Sequence, residues 1–300
     1  MVDEVTTRRV PYTVTIAGVQ KAATSTLYSL LARHPRVAGG GSKEVHYFDD
    51  ETRDWSRPDH GDYHAVAEKE RQRFGVDATP SYLFWPGAMR RIAAYDPQMR
   101  VILSLRDPIE RAFSQWSMTY GRRAGDHPAF AELVESSLEM GDVSRGGPAG
   151  VSNGQLRKRS LVQRGLYGAQ LREALFHLPR EQFLVMDFRD VVGDLTGAAR
   201  RMTTFLGLPP FKKAAPALSA NPSRSNLVAP PVTGALVRRL AEIYADDLAL
   251  LATEVDLDVA AWSTSRVLAG SLDPDDLAER LNRKAGLVQP APPGVRPATP

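Results

Sequence analysis

The 300-residue chain contains no cysteine. That excludes disulfides, a thiolate nucleophile and cysteine metal sites, and it makes a cytoplasmic location the default expectation. Charge of one sign is also scarce. Against 38 Lys and Arg stand 35 Asp and Glu, a net charge of only +3. So small an excess creates no field suited to nucleic acid and fits a small anionic ligand better. Long apolar runs are missing too. The opening stretch MVDEVTTRRVPYTVTIAG has early acidic residues and an apolar run too short for a signal peptide or a membrane span. No internal repeat or heptad pattern is visible.

What is present suffices for a sizeable core, since 43% of residues are hydrophobic. A single domain over residues 1–285 is expected, followed by a Pro-rich, disordered tail over 286–300. The Val, Ile and Thr-rich run at 12–17 ends at Gly18 and reads as a buried strand feeding a loop. Leu27, Leu30 and Leu31 then have helical spacing, with Thr24 as the expected N-cap. The pattern recurs. A strand at 101–105 precedes Asp107 and Pro108, a cap and first-turn pair for a helix at 109–120. A helix at 167–178, a strand at 183–188 and a helix at 191–206 follow, then a helix at 233–253. Alternation of this kind predicts an α/β fold of three layers, a central parallel sheet flanked by helices. Between the units, 130–140 is amphipathic, 141–159 reads as a mobile surface loop and 209–231 as a Pro-rich structured loop.

The first loop carries chemistry. In GVQKAATSTL, residues 18–27, a glycine after a strand, Lys21, two small residues (Ala22 and Ala23) and the run Thr24, Ser25, Thr26 open a helix. Backbone N–H groups and the helix terminus then face an anion, with Lys21 as a point charge. The pattern lacks the second glycine of a nucleotide kinase's loop, and Lys21 stands three residues before Thr24.

This loop resembles the 5′-phosphosulfate loop of the sulfotransferases that use PAPS (3′-phosphoadenosine 5′-phosphosulfate), in the branch that includes the heparan sulfate enzymes. Three further segments stand in that family's order. KEVHYFDD (43–50) is similar to its catalytic segment, LSLRDPIERAFSQW (103–116) to its 3′-phosphate strand and helix, and RGLYGAQL (164–171) to a later turn. The resemblance spans about residues 14–226. It implies a P-loop-like fold and transfer of a sulfuryl group from PAPS to a hydroxyl or amine, releasing PAP (3′-phosphoadenosine 5′-phosphate) without a metal. Positioning and electrostatics carry most of such an in-line transfer. By the resemblance Glu44 is the general base and His46 a neighbour that orients or assists it. Lys21 through Thr26 contact the donor's 5′ end, Arg106 and Ser114 hold the 3′-phosphate, and Tyr167, Ser223 and Arg224 join the nucleotide site.

On residues alone, Glu44 also reads as a solvated carboxylate and His46 as a structural histidine. In an extended segment the two would share a face. Arg111 divides evenly between ligand contact and a pair with Asp107, and the cluster Arg157, Lys158, Arg159 reads first as a solvated loop and second as a grip on an acidic acceptor. Ala78 stands where the glycosaminoglycan enzymes commonly carry lysine, which removes a cation from the acceptor side. A small molecule, lipid or glycoconjugate is therefore the expected acceptor. The alternatives are a P-loop kinase or other NTPase, and a non-catalytic nucleotide-binding protein. Ala22 directly after Lys21, and Arg106 where an acidic strand end would stand, speak against the former.

Overall fold

The computed structural model describes residues 8–39, 43–121, 128–143, 152–212 and 229–287. Strand β1 (Arg8–Gly18) leads into helix α1 (Thr24–Ala32), β2 (Val37–Ala38), β3 (His64–Ala67) and β4 (Phe74–Asp77). Helix α2 (Ala88–Tyr95), β5 (Arg100–Leu105), α3 (Pro108–Tyr120), α4 (Phe130–Leu138) and α5 (Asn153–Arg159) follow. The chain continues through α6 (Tyr167–His177), β6 (Phe183–Asp187), α7 (Phe188–Gly193), α8 (Leu195–Phe205), α9 (Gly234–Glu254), α10 (Ser263–Leu268) and α11 (Pro274–Ala285).

The sheet order is β2-β4-β1-β5-β6, with every pair in that path parallel, and β3 adds to β1 antiparallel. The expected parallel sheet is present. Along β5, Val101, Leu103 and Leu105 enter the larger core with α2, α3, α6 and α9, whereas Ile102 enters a second core with α1 and α8. Period-two alternation thus feeds both faces, and covering both is why β5 is an almost unbroken apolar run. Because the strands are parallel, the loops after β1, β2, β4 and β5 leave from one edge. The chain goes from β1 toward β2 and β4, then returns across β1 to β5, so the crevice at that edge lies at a topological switch point.

Several expectations need correction. Ala23, not Thr24, is the N-cap of α1, and it is left-handed (φ 61°) with no side-chain cap. The single helix expected at 191–206 is two, because Asp194 accepts from Gly197 N–H at 2.8 Å and starts α8 afresh. The surface loop expected at 141–159 contains α5, which Ser152 caps. Its residues 144–151 lie outside the described ones, as do 288–300 of the expected tail. No helix among the described residues is long and apolar enough to cross a membrane.

Helix α6 is fixed from outside itself. Its first turn has no local side-chain cap, and Asp247 of α9 supplies one by accepting from Gly168 and Ala169 N–H at 2.8 and 2.9 Å. Gly168 lets the helices meet, since a Cβ there would overlap the Asp247 carbonyl oxygen and stand 2.8 Å from Leu251 N. We expect Gly168→Ala to lower unfolding free energy by about 1–3 kcal/mol through overpacking. Gly154→Ala, whose Cβ meets only Ser152 Oγ at 3.9 Å, should be neutral or stabilising. Urea titration of both variants checks the contrast.

Candidate active site

Two groups of side chains meet at the carboxyl edge. The first belongs to the loops after β1 and β5. Lys21 (φ 74°) and Ala23 (φ 61°) are both left-handed, a conformation that turns the chain sharply into α1. No side chain caps α1; Thr26 N–H is spent on the Ala23 carbonyl at 2.9 Å, which leaves the Thr24 and Ser25 N–H groups at the helix start to face a ligand. Ser25 is exposed, Thr26 half-buried and Thr24 buried, and Lys21 Nζ lies 3.0 Å from Met118 Sδ. Arg106 is 6% exposed and lies under the loop, donating from Nη1 to the Lys21 carbonyl at 3.0 Å. Its guanidinium rests 4.6 Å from the Phe188 ring centre and 3.5 Å from the Glu110 carboxylate. Its Nε has no partner among the described residues. A buried cation with an unused donor is a fit for an anion.

Ser114 is half-buried, one helical turn beyond Glu110 on the same face of α3. Tyr167, expected at the nucleotide, is fully buried and donates its hydroxyl to the Arg106 carbonyl at 2.9 Å. It props Arg106 and presents nothing to a ligand. Arg111 is wholly buried as well, on Gln115 (2.6 Å) and the Leu161 carbonyl, and makes no pair with Asp107. Asp107 instead caps α3 and accepts from Thr264 N–H at 2.7 Å. Ser223 and Arg224 lie outside the described residues.

The second group follows β2. Glu44 (φ 65°) and His46 (φ 55°) are left-handed rather than extended, so the pleat is not what joins them. They still converge, with His46 Nε2 3.7 Å from Glu44 Oε2 and Lys43 paired to Glu44. Behind them Asp49, 1% exposed, accepts from His46 Nδ1 (2.9 Å), Ser81 Oγ (2.6 Å) and Arg157 Nη1 (2.9 Å). Tyr47 and Phe48 plug the opposite side into a cluster with Trp55, Tyr63 and Tyr95, and the Tyr82 hydroxyl accepts from Tyr47 N–H at 3.0 Å.

Charge follows from these contacts. Asp49 first, and Glu44 second, raise the His46 pKa to about 9 against the cost of burial. At neutral pH it is an imidazolium. His46 in turn pulls Glu44 down to about 2, with Lys43 adding to it and partial burial opposing. Burial pushes Asp49 up, but His46, Ser81 and Arg157 outweigh it and leave it at about 2.

The reading from sequence missed Asp49 and Arg157. Asp49 had a local signal, three residues after His46. Arg157 had none, because it reaches Asp49 from 108 residues away. It also lies 4.4 Å over the Trp85 ring, while Arg159 is spent on Ser136 and on Glu139 at 3.1 Å. The cluster 157–159 is therefore a helix end pairing largely with the protein's own groups, with Lys158 exposed and Arg157 and Arg159 half-buried. Ala78 is completely buried in the second core.

Compared with known proteins, the chain matches the model described as the sulfotransferase family over residues 48–213, more than half its length. The chain belongs to the sulfotransferase family. The match begins after the Lys21 loop and after Glu44 and His46. Heparan sulfate glucosamine 3-O-sulfotransferase 6 of Homo sapiens is 31% identical over 262 residues, covering 79% of this chain and 69% of that protein. Heparan sulfate glucosamine 3-O-sulfotransferase 3B1 of Mus musculus is 30% identical over 196 residues, covering 64% of this chain but 45% of that protein. This sulfotransferase thus spans under half the length of the latter relative. The crystal structure of a sulfotransferase from Alicyclobacillus acidocaldarius superposes with a TM-score of 0.62 at 23% identity, over 84% of this chain and 99% of that one. The two share a fold.

The left-handed loop is testable by itself. Glycine adopts φ 61° without the roughly 1–2 kcal/mol that a Cβ costs there. Ala23→Gly in this sulfotransferase is therefore expected to hold or raise stability by up to about 1 kcal/mol. Ala22→Gly, at a buried position with ordinary φ, should lower it. Equal destabilisation of both variants in urea would mean that Ala23 is not left-handed.

Proposed function

We propose that this sulfotransferase uses PAPS as donor, binds it across the carboxyl edge, and employs Glu44 as the base that takes the acceptor's proton. One observation carries the donor half: Arg106, buried with Nε unpartnered among the described residues, lies against the loop whose helix start lacks a side-chain cap. That gives two anion-seeking positions on adjacent loops, which suits a nucleotide phosphorylated at both ends. The Lys21 to Thr26 loop takes the 5′ end, and Arg106 with Ser114 takes the 3′-phosphate. Arg280 and Lys284 of α11 stand near this second position. Arg280 holds Glu110 at 3.0 Å, and Lys284 has its pKa lowered by burial first and by Arg106 next. When bound, PAPS supplies an activated sulfuryl group that departs from a phosphate oxygen.

Replacing Arg106 by Ala should weaken PAP by about 10–100-fold, the scale of a lost charge-assisted hydrogen bond, and weaken adenosine 5′-phosphate much less, through the lost Lys21 carbonyl contact alone. Calorimetric titration with the two nucleotides reads this directly. Equal losses for both would remove Arg106 from the 3′-phosphate.

The acceptor half rests on protonation. An imidazolium with a pKa of about 9 has no site for another proton at pH 7, whereas Glu44 is ionised. His46 therefore orients Glu44, and Asp49 holds His46. The acceptor is a hydroxyl or amine on a small molecule, lipid or glycoconjugate; the heparan sulfate relatives are named for a glucosamine hydroxyl. Glu44→Gln should lower turnover by roughly 10² or more with PAP affinity within a few fold. In the wild type, kcat/KM should stay level from pH 5 to 8 and decline as His46 loses its proton near 9. A rate that climbs with deprotonation of His46, surviving Glu44→Gln, would transfer the base role to His46.

A further inference from the structure

Beside the site lies a cavity of about 440 Å³ with a mainly apolar lining. Leu83, Phe84 and Trp85 come from the loop after β4, Leu138 and Val143 from the end of α4 and just beyond, and Ile243 from α9. It shares its wall with the catalytic edge. Leu83 N–H donates to the Ala17 carbonyl at 3.0 Å, at the end of β1, and Trp85 lies under the Arg157 guanidinium that holds Asp49. Phe84 carries a second guanidinium, that of Arg164, at 4.5 Å. Arg164 is 6% exposed, and burial first, with Arg111 and Arg157 next, lowers its pKa to about 9. On the lining, Gln170 Oε1 is buried with no partner among the described residues. A mostly apolar lining with few polar groups is the pattern of a small-molecule site.

Resting on the sulfuryl-transfer reading above, we propose that this cavity holds the apolar chain of the acceptor, so that the hydroxyl sulfated is one carried by an alkyl or lipid-like alcohol. Two observations favour that occupant over a polyanionic sugar chain. The cavity abuts, through Leu83 and Trp85, the end of β1 and the Arg157 that holds Asp49, so a chain lying in it would direct its polar head toward that edge. Two of the three cations at 157–159 are turned inward, Arg157 to Asp49 and Arg159 to Ser136 and Glu139, which leaves a polyanion Lys158 alone from this cluster. Gln170 adds one acceptor for a polar group along the chain.

The test titrates the PAP-loaded protein with straight-chain primary alcohols of four to ten carbons by calorimetry, then repeats the series on Ala169→Trp. Ala169 lines the cavity, is exposed on α6 and touches none of the proposed catalytic or donor groups, so the larger ring obstructs the cavity alone. Affinity should rise about threefold or more per methylene in the wild type. In Ala169→Trp the longest alcohol should lose at least tenfold while PAP binds as before. PAP binding reports that the variant is folded, and Ile243→Glu gives a second route to the same loss. Affinity indifferent to chain length, or a chain-length series unchanged in both variants, overturns the cavity assignment and leaves sulfuryl transfer standing. Alcohol binding that follows the expected series in a protein with no preference for PAP over adenosine 5′-phosphate keeps the cavity as an alkyl site and removes the sulfuryl-transfer reading.

Discussion

The parallel pairing of β1 with β4 on one side and β5 on the other governs everything at the site. Parallel strands end together, so the loop after β1, the segment after β2, the turn after β4 and Arg106 after β5 all arrive at one edge. An antiparallel neighbour would have sent one of them to the far end of the sheet. The one antiparallel partner, β3, pairs with Arg8, Arg9, Val10 and Pro11, at the end of β1 away from the loop. It extends the sheet without disturbing the crevice.

Burial then makes those loops definite. Asp49 is the clearest case, a carboxylate with almost no solvent contact whose charge is met by His46 and Arg157 and whose remaining capacity is met by Ser81. Removing one partner of such a group costs far more than an exposed pair contributes, because the charge left behind has no water to turn to. His46 is consequently held protonated, and through it Glu44 is held ionised. The arrangement carries a tension: the charges that keep Glu44 ionised also weaken it as a proton acceptor. In the proposed reaction, displacement of Lys43 from Glu44 would strengthen the base, since it removes one of the two cations that lower the carboxylate's pKa.

Elements with strong local signals were legible in the sequence. The strand over 101–105 followed by Asp107 and Pro108 emerged as read, because an apolar run, a capping carboxylate and a first-turn proline are all adjacent. Strands β2, β3 and β4 were not legible, being two to four residues long and defined by pairing with β1 and with each other. In the site, the nearness of Glu44 and His46 was expected for a reason the backbone does not supply. Tyr167 was placed at the ligand although its hydroxyl belongs to Arg106, 61 residues earlier. The Asp247 cap on α6 is equally non-local, at 79 residues. Contacts of that range leave no period or spacing to read.

Among the described residues, the non-glycine positions with positive φ are Lys21, Ala23, Glu44 and His46, and all four lie in the candidate active site. A left-handed backbone costs about 1–2 kcal/mol at a residue with a Cβ, so the four together oppose folding by several kcal/mol, a sizeable share of a typical domain's 5–15. Such strain persists only where neighbours overdetermine it. Arg106 fixes the Lys21 carbonyl, Asp49 fixes the His46 ring, and Tyr47 and Phe48 pin the chain between them into the aromatic cluster. The supports are buried, Arg106 far away in sequence and Tyr47, Phe48 and Asp49 directly after the strained segment, whereas the strained residues are partly exposed. Relaxing the site into ordinary conformations would therefore require the core beneath it to move, and that is what keeps the loop and the Glu44 segment facing the same crevice.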